Sequence, residues 1–342
     1  MLDGLANSST GDMAYILSQL DGSGSASDAR QLASNPDNGS AAALNYTQSR
    51  FSGMIIDHLA GTMNAPASGG AVWGQMFNSY LNQYARGSSS GYNADITGVS
   101  AGYDYKVGDS SLLGFGIGYA RNSIRMRDNS GYTDVNSYQG DVYFGSAWER
   151  SYLSLVGMFA QNEYKSGRNI GFGALARSAN GSYAGQQYGA YAEAGYTLGE
   201  ALQLTPLASL QYSLLHTRAY TETGAGDANL SVDAANYNFL QSGLGFRLAL
   251  PLRGDKTSFI PDVHGKWLYA LKADDMESTA AFSGGGSSFK TTGYSQPRSG
   301  GQAGARLDVE FSKALSLALN YDFEFRQDFN SHTGYANLRC KF

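Results

Sequence analysis

Four histidines, one cysteine and scattered acids and serines are what this 342-residue chain offers for acid–base, nucleophilic or metal chemistry. His58, His216, His264 and His332 form no HExxH and no other metal-ligand spacing. Cys340 stands alone, so it makes no intrachain disulfide and no CxxC site. No GxSxG elbow presents a serine nucleophile. Asp262 and His264 are two apart, which puts them on one face of a strand, and His332 lies near Asp328. In a chain this rich in serine such groupings arise by chance, and His264 reads better as a wall residue. "GFGIGYAR" (114–121) is glycine-rich, but its glycines alternate with larger residues as in a strand, which does not suit a phosphate loop. These patterns imply no enzyme, no metal and no cofactor. A net charge of −5 gives no basic footprint, so nucleic acid is not an expected partner.

The function must then lie in the elements. Gly (44) and Tyr (24) are abundant, Pro is scarce at 6, and charged residues are 15%, well under the usual quarter. No run of 18 apolar residues predicts a transmembrane helix. Residues 1–15 have neither a basic n-region nor an apolar h-region, so they do not read as a signal peptide. From residue 71 onward the hydrophobic period is two. Leu113, Phe115, Ile117 and Tyr119 alternate with Gly114, Gly116 and Gly118. Leu315, Leu317, Leu319, Tyr321, Phe323 and Phe325 alternate with Ser316, Ala318, Asn320, Asp322 and Glu324. Even the final segment, "GYANLRCKF", alternates to its last residue. Twelve strands are expected, at about 71–82, 95–107, 111–126, 134–149, 151–164, 183–198, 202–218, 236–250, 257–271, 299–311, 314–326 and 333–342. Several exceed ten residues, the length a tilted strand needs to cross a bilayer.

The links decide the architecture. "GDS", "ER", "GEA", "PLRGDK" and "SKA" are short and fall on one rim, while the alternate links, such as 165–182, 219–235 and 272–298, are long and polar. That asymmetry belongs to a transmembrane barrel. The polar face carries Asp104, Lys106, Asp141, Glu149, Glu193, Arg306, Asp308, Glu310, Glu324 and Arg326, too many charges for a dry core. Aromatics gather near strand ends, at Tyr103, Tyr105, Tyr196, Trp267, Tyr269, Phe323 and Phe325, as an interfacial girdle does. The expected fold is a 12-stranded antiparallel transmembrane β-barrel over 71–342, with a soluble barrel or sandwich as the alternative.

Two helices precede it. Met13, Ile16, Leu17 and Leu20 recur at helical spacing after a cap at Thr10 or Asp12, and "DGSGSASDARQLASNPDNGS" reads as linker. A second helix over about 41–60, ended by Gly61, has Phe51, Ile55 and Leu59 on one stripe and Asn45, Arg50 and Asp57 among its polar residues. It is about 30 Å long, close to a bilayer core, yet too polar for lipid. Twelve strands leave room for roughly one helix. The helix is therefore expected in the lumen, with Arg50 and Asp57 meeting the charged wall; packing outside the barrel mouth is the alternative.

Across 41–342 the chain resembles the translocator (β) domain of classical autotransporters, the type V secretion proteins of the Gram-negative outer membrane. The resemblance rests on the order of "SRFSGMIIDHL", "VWGQMF", "ITGVSAGYDYKV", "LLGFGIGYA" and "FRQDFNSHTGYANLRCKF". It implies a passenger remnant and linker at 1–40, a linker helix through the barrel at 41–62, and delivery of the chain's own N-terminal passenger to the cell surface. It also implies outer-membrane lipids and the barrel-assembly machinery as partners of a monomer. Leu338 and Phe342 resemble the terminal signal that this machinery reads, although Cys340 stands where an aromatic residue is usual. Some members cut their linker helix at an Asn-Asn pair beside lumen acids; here Asn45 is followed by Tyr46, which leaves Asn45 a weak candidate. The competing readings are an outer-membrane barrel enzyme of protease or lipase type, and a surface adhesin or porin.

Overall fold

A computed structural model of the protein describes residues 11–23, 28, 31–33, 39–62, 70–86, 89–254, 257–293 and 295–342. Thr10 and most of the expected linker after residue 23 lie outside them. Among the described residues, twelve long strands follow two long helices. They are β1 (Gly70–Gln83), β2 (Tyr92–Val107), β3 (Ser111–Met126), β4 (Gly131–Trp148), β5 (Ser151–Phe172) and β6 (Leu175–Tyr196), then β7 (Gln203–Thr217), β8 (Ala235–Ala249), β9 (Ser258–Ala273), β10 (Ser299–Glu310), β11 (Leu315–Arg326) and β12 (Phe329–Lys341). Each pairs antiparallel with its neighbours in sequence, and β12 pairs with β1, so the sheet closes into a barrel. Closure satisfies the edge hydrogen bonds that lipid cannot. Leu252–Arg253 adds a short pairing to β9 at the short-turn rim.

Side chains sort by parity. Ile117 is 70% exposed and Met76 59%, while Asn162 and Ser213, on the opposite face, are 0% exposed. Leu307 and Phe246 point outward, and Leu317 shares the face of exposed Leu319. The apolar face is thus the exterior, and the charged face encloses the bore. Small inward residues matter there. A Cβ on Gly98 would strike Phe77, one on Gly114 would strike Tyr143, and one on Gly118 would stand 3.0 Å from Phe51. The glycines that alternate along β2 and β3 are spaces for aromatic rings inside the barrel.

Three expectations change. The stretch 165–182 is not a loop: β5 and β6 run on as a hairpin of two 22-residue strands, joined through Gly173 at φ 55° and Ala174. Its small polar residues alternate too weakly to announce a strand, but the hairpin gains partners above the membrane. The links 219–235 and 272–298 likewise contain strands; Tyr220–Thr221, Leu230–Val232, Glu277–Phe282 and Phe289–Thr292 form a second, four-stranded sheet. Glu149 lies in the tight turn between β4 and β5, at φ 53°, not on the wall.

Helix α1 spans Asp12–Ser23 and α2 spans Ser40–Ala60. Ala41, Ala42, Ala43 and Leu44 favour the first turns of α2. Gly61 follows it at φ −81°, so no left-handed cap closes the helix. A Cβ at Gly61 would stand 3.3 Å from the Arg339 guanidinium, close enough that this side chain would have to shift slightly. Thr62 ends the helix instead, its N–H bonding to the Leu59 carbonyl at 3.0 Å and its hydroxyl to the His58 carbonyl at 2.5 Å.

Candidate functional site in the barrel bore

Fifteen of the 21 residues of α2 are buried, Arg50 and His58 among them. A half-polar helix is buried on all sides only if the wall answers it group by group. Near its N-terminal end, Tyr46 Oη bonds Thr333 Oγ1 at 2.8 Å and accepts from Ser331 Oγ at 2.8 Å. Thr47 donates to Asn122 Oδ1 at 2.5 Å. Gln48 Oε1 accepts from Gln187 Nε2 and from Ser213 Oγ, both at 2.5 Å. The Gln48 amide fills the place a Cβ would take on Gly189, so β6 carries a notch for this one side chain.

The two charges of α2 meet opposite wall charges at two depths. Arg50 lies 3.3 Å from Asp322 and 3.5 Å from Glu324, and its guanidinium stands 4.8 Å from the centre of the Tyr46 ring. Two turns below, Asp57 pairs with Arg247, accepts from Tyr335 Oη, and lies 3.5 Å from Arg306. Arg306 also donates to the Asp57 carbonyl at 2.9 Å and to Asp308 at 2.8 Å. At the foot, His58 Nε2 meets Asp104 Oδ2 at 2.7 Å. Asp104 in turn accepts from Tyr143 at 2.5 Å, and Tyr143 from Trp73 at 2.6 Å. Arg339 donates to Thr62 at 2.7 Å. The remaining face is apolar: Phe51 meets Phe77 edge-on at 5.1 Å, and Ile55, Ile56 and Leu59 pack on Trp73, Leu112, Tyr143 and Val156.

The other sequence-predicted residues fall as follows. Glu193 faces the bore but serves the wall, bonding Lys266 at 2.6 Å and Tyr152 at 2.9 Å. Glu324 also holds Arg326 at 3.1 Å, and Arg326 donates to Gln241. Glu310 stands at the short-turn rim and makes no ion pair among the described residues. Asn45 lines a small cavity with Ser49, Tyr92, Gln211 and Glu324, and its buried Oδ1 has no hydrogen-bond partner among the described residues. Leu338 and Phe342 point outward; Phe342 donates its N–H to the Gly70 carbonyl at 3.1 Å and stands 6.3 Å from the Tyr103 ring. His332 turns to the lipid face and bonds Tyr321 at 2.7 Å, whereas Asp328 pairs with Arg86, so these two do not form an acid–base couple. Sequence reasoning missed Arg247, Asp322, Tyr335 and Gln48 as helix contacts. Parity placed Asp322 on the polar face, but only the register of α2 in the bore selects it and Arg247 as partners. His264 is a wall residue, held between Asp262 at 2.9 Å and Asp322 at 2.8 Å.

A closed barrel, short turns at one rim and a charge-matched helix in its bore define a recognisable architecture. The family profile described as "Autotransporter beta-domain" matches residues 72–322. The chain belongs to the autotransporter β-domain family. Outer membrane protein A of Rickettsia conorii is 26% identical over 287 residues, which cover 79% of this chain and 14% of that relative. An extracellular serine protease of Serratia marcescens is 22% identical over 279 residues, covering 81% of this chain and 26% of that protein. The chain thus spans a small part of the curated relatives it matches. In fold it is similar to the translocator domain of the autotransporter NalP from Neisseria meningitidis, with a TM-score of 0.73 at 19% identity over 89% of this chain and 98% of that one. The β-domain of the Bordetella autotransporter BrkA superimposes with a TM-score of 0.57 at 16% identity, over 80% of this chain and 100% of that one. The autotransporter β-domain described here is therefore a barrel of the outer membrane.

Proposed function

We propose that α2 is the end-stop of secretion: the barrel passes its own N-terminal passenger to the cell surface, and the linker helix then comes to rest in the bore. The observation that carries this is the double charge match. Arg50 and Asp57 are seven residues apart, about 10 Å along the helix, and each faces opposite charge at its own depth. The direction agrees. The chain leaves α1 at the long-loop rim, descends through α2, and enters β1 at the short-turn rim. On this reading residues 1–40 are the passenger's last turn and tether, 41–62 the linker helix, and 71–342 the membrane barrel. In planar bilayers the full chain should conduct poorly, and deletion of 40–60 should raise conductance several-fold. A full chain that conducts like the deletion would overturn the reading and favour a porin.

The same proposal gives the terminal strand an assembly role. Strand β12 pairs with both β11 and β1, so it completes the ring. Leu338 and Phe342 would present an apolar, aromatic edge to the barrel-assembly machinery. Phe342→Ala should lower the folded, heat-modifiable fraction in cells while leaving refolding in detergent intact; equal loss in both would assign Phe342 to simple anchoring. The domain acts as a monomer and performs no catalysis. An intact-mass spectrum of the purified chain should show one species of 36.4 kDa. Fragments split at Asn45 would instead assign it self-cleavage.

A further inference from the structure

Above the membrane, α1 is not loose tether. Met13 and Ile16 are 1% and 0% exposed, and Leu32, in the short stretch after it, is 1% exposed. They share a core with Phe172 and Leu175 of the β5–β6 hairpin, with Ala228 of the 3-10 turn Gly226–Ala228, and with Leu230, Val232 and Phe282 of the four-stranded sheet. The polar contacts are equally specific. Asp12 opens the helix and receives both Arg177 nitrogens, at 2.5 and 2.6 Å, together with the Asp227 N–H at 3.0 Å. The Met13 N–H returns a bond to Asp227 at 3.0 Å. Gln19 and Gln31 accept from backbone amides near the hairpin tip, Ala174 at 2.9 Å and Gly171 at 2.8 Å. Arg168, almost wholly buried, grips Glu222 at 2.5 Å and donates to the Gln31 and Leu32 carbonyls at 3.1 and 2.9 Å.

The seat is shaped as well as charged. Gly226 has φ 63°, and a Cβ there would strike the Asp12 carboxylate; a Cβ on Gly173 would stand 2.8 Å from Gln19. The long hairpin and the second sheet are thus built against one helix with an acidic first residue.

We propose that the extracellular loops form a receptor for α1, the segment directly upstream of the pore helix, and that its seating closes the bore above α2. This rests on the secretory reading and extends it. The contacts of α2 hold the chain inside the membrane, while the α1 seat holds it outside, so a chain that has emerged cannot slide back.

The test uses the full chain with a specific protease site placed within 24–27. After cleavage in detergent, the α1 fragment should stay with the barrel through gel filtration. Arg177→Ala should release it at least tenfold faster, and the exchange Asp12→Arg with Arg177→Asp should restore retention. Release should raise bilayer conductance in steps smaller than those of the α2 deletion, and heat-modifiable migration verifies that the barrel stays folded. A wild-type fragment that leaves at once overturns the receptor. Release without any change in conductance overturns the closure. Either result leaves the α2 experiment standing, because α2 remains in the bore throughout.

Discussion

The two helices of this domain are held by the same chemistry in different solvents. In the bore, Asp57 meets Arg247, Arg306 and Tyr335 with its side chain 17% exposed, and Arg50 meets Asp322 and Glu324 with side chains below a tenth exposed. At the rim, Asp12 meets Arg177 with side chains 35% and 22% exposed. Coulomb attraction grows as water is excluded, but so does the penalty for leaving either partner alone. The bore contacts therefore act as a lock whose half cannot be removed cheaply. The rim ion pair is wetter and so weaker, and the burial of Met13, Ile16 and Leu32 adds apolar adhesion beside it.

The largest effect that separates the two follows from Asp57→Ala. It takes from Arg247 its close carboxylate partner, leaving Asp262 at 3.9 Å, and from Arg306 one of its two, Asp308 remaining at 2.8 Å; breaking one side of a buried pair costs up to about 3–5 kcal/mol. Urea or guanidinium unfolding of the barrel in detergent should show a loss of that size, with raised conductance. Arg177→Ala frees the rim helix without opening the barrel, so the same unfolding curve should move by no more than about 1 kcal/mol. Equal effects from the two variants would erase the distinction between lock and latch.

A smaller effect comes from the neutral side of α2. Gly189→Ala forces Gln48 out of its notch and breaks its bonds to Gln187 and Ser213. One or two buried hydrogen bonds correspond to about 1–3 kcal/mol. The variant should unfold earlier by that amount, and Gln48→Ala added to it should cost little more. Fully additive losses would show that Gln48 and Gly189 do not act together.

The barrel was readable because lipid on one side and a charged bore on the other impose a strict period of two. The observed strands β3, β7 and β11 begin and end within a residue or so of the expected bounds. The bore helix was readable from its mismatch: half polar, membrane-long, and next to β1. What stayed hidden depends on register between distant segments. Nothing local marks Tyr335 as a partner of Asp57, 278 residues away, or Arg168 as a partner of Leu32. The hairpin extension and the second sheet were hidden for another reason. Above the membrane no solvent contrast enforces alternation, so "SGRNIGFGALARSANGS" looks like loop until α1 covers it.

The smallest effect is one of pH, confined to the rim. Asp12 is held down to about 2 from its ordinary 3.8, first by its hydrogen bonds from Arg177, then by the Asp227 amide, against a small opposing burial effect. Facing it are Arg177 on β6 and the Asp227 carboxylate on the neighbouring loop. A lowered folded-state pKa gives stability that is complete above the free value and is lost as pH falls through the bound one. Retention of the cleaved α1 fragment should then be flat from neutral pH to about 4 and should weaken between about 4 and 2. Asp12→Asn should bind less tightly at pH 7 and lose that part of the acid response. If both proteins release α1 along the same acid curve, Asp12 is not the group that ties the rim helix down, and the seat is held by its apolar face alone.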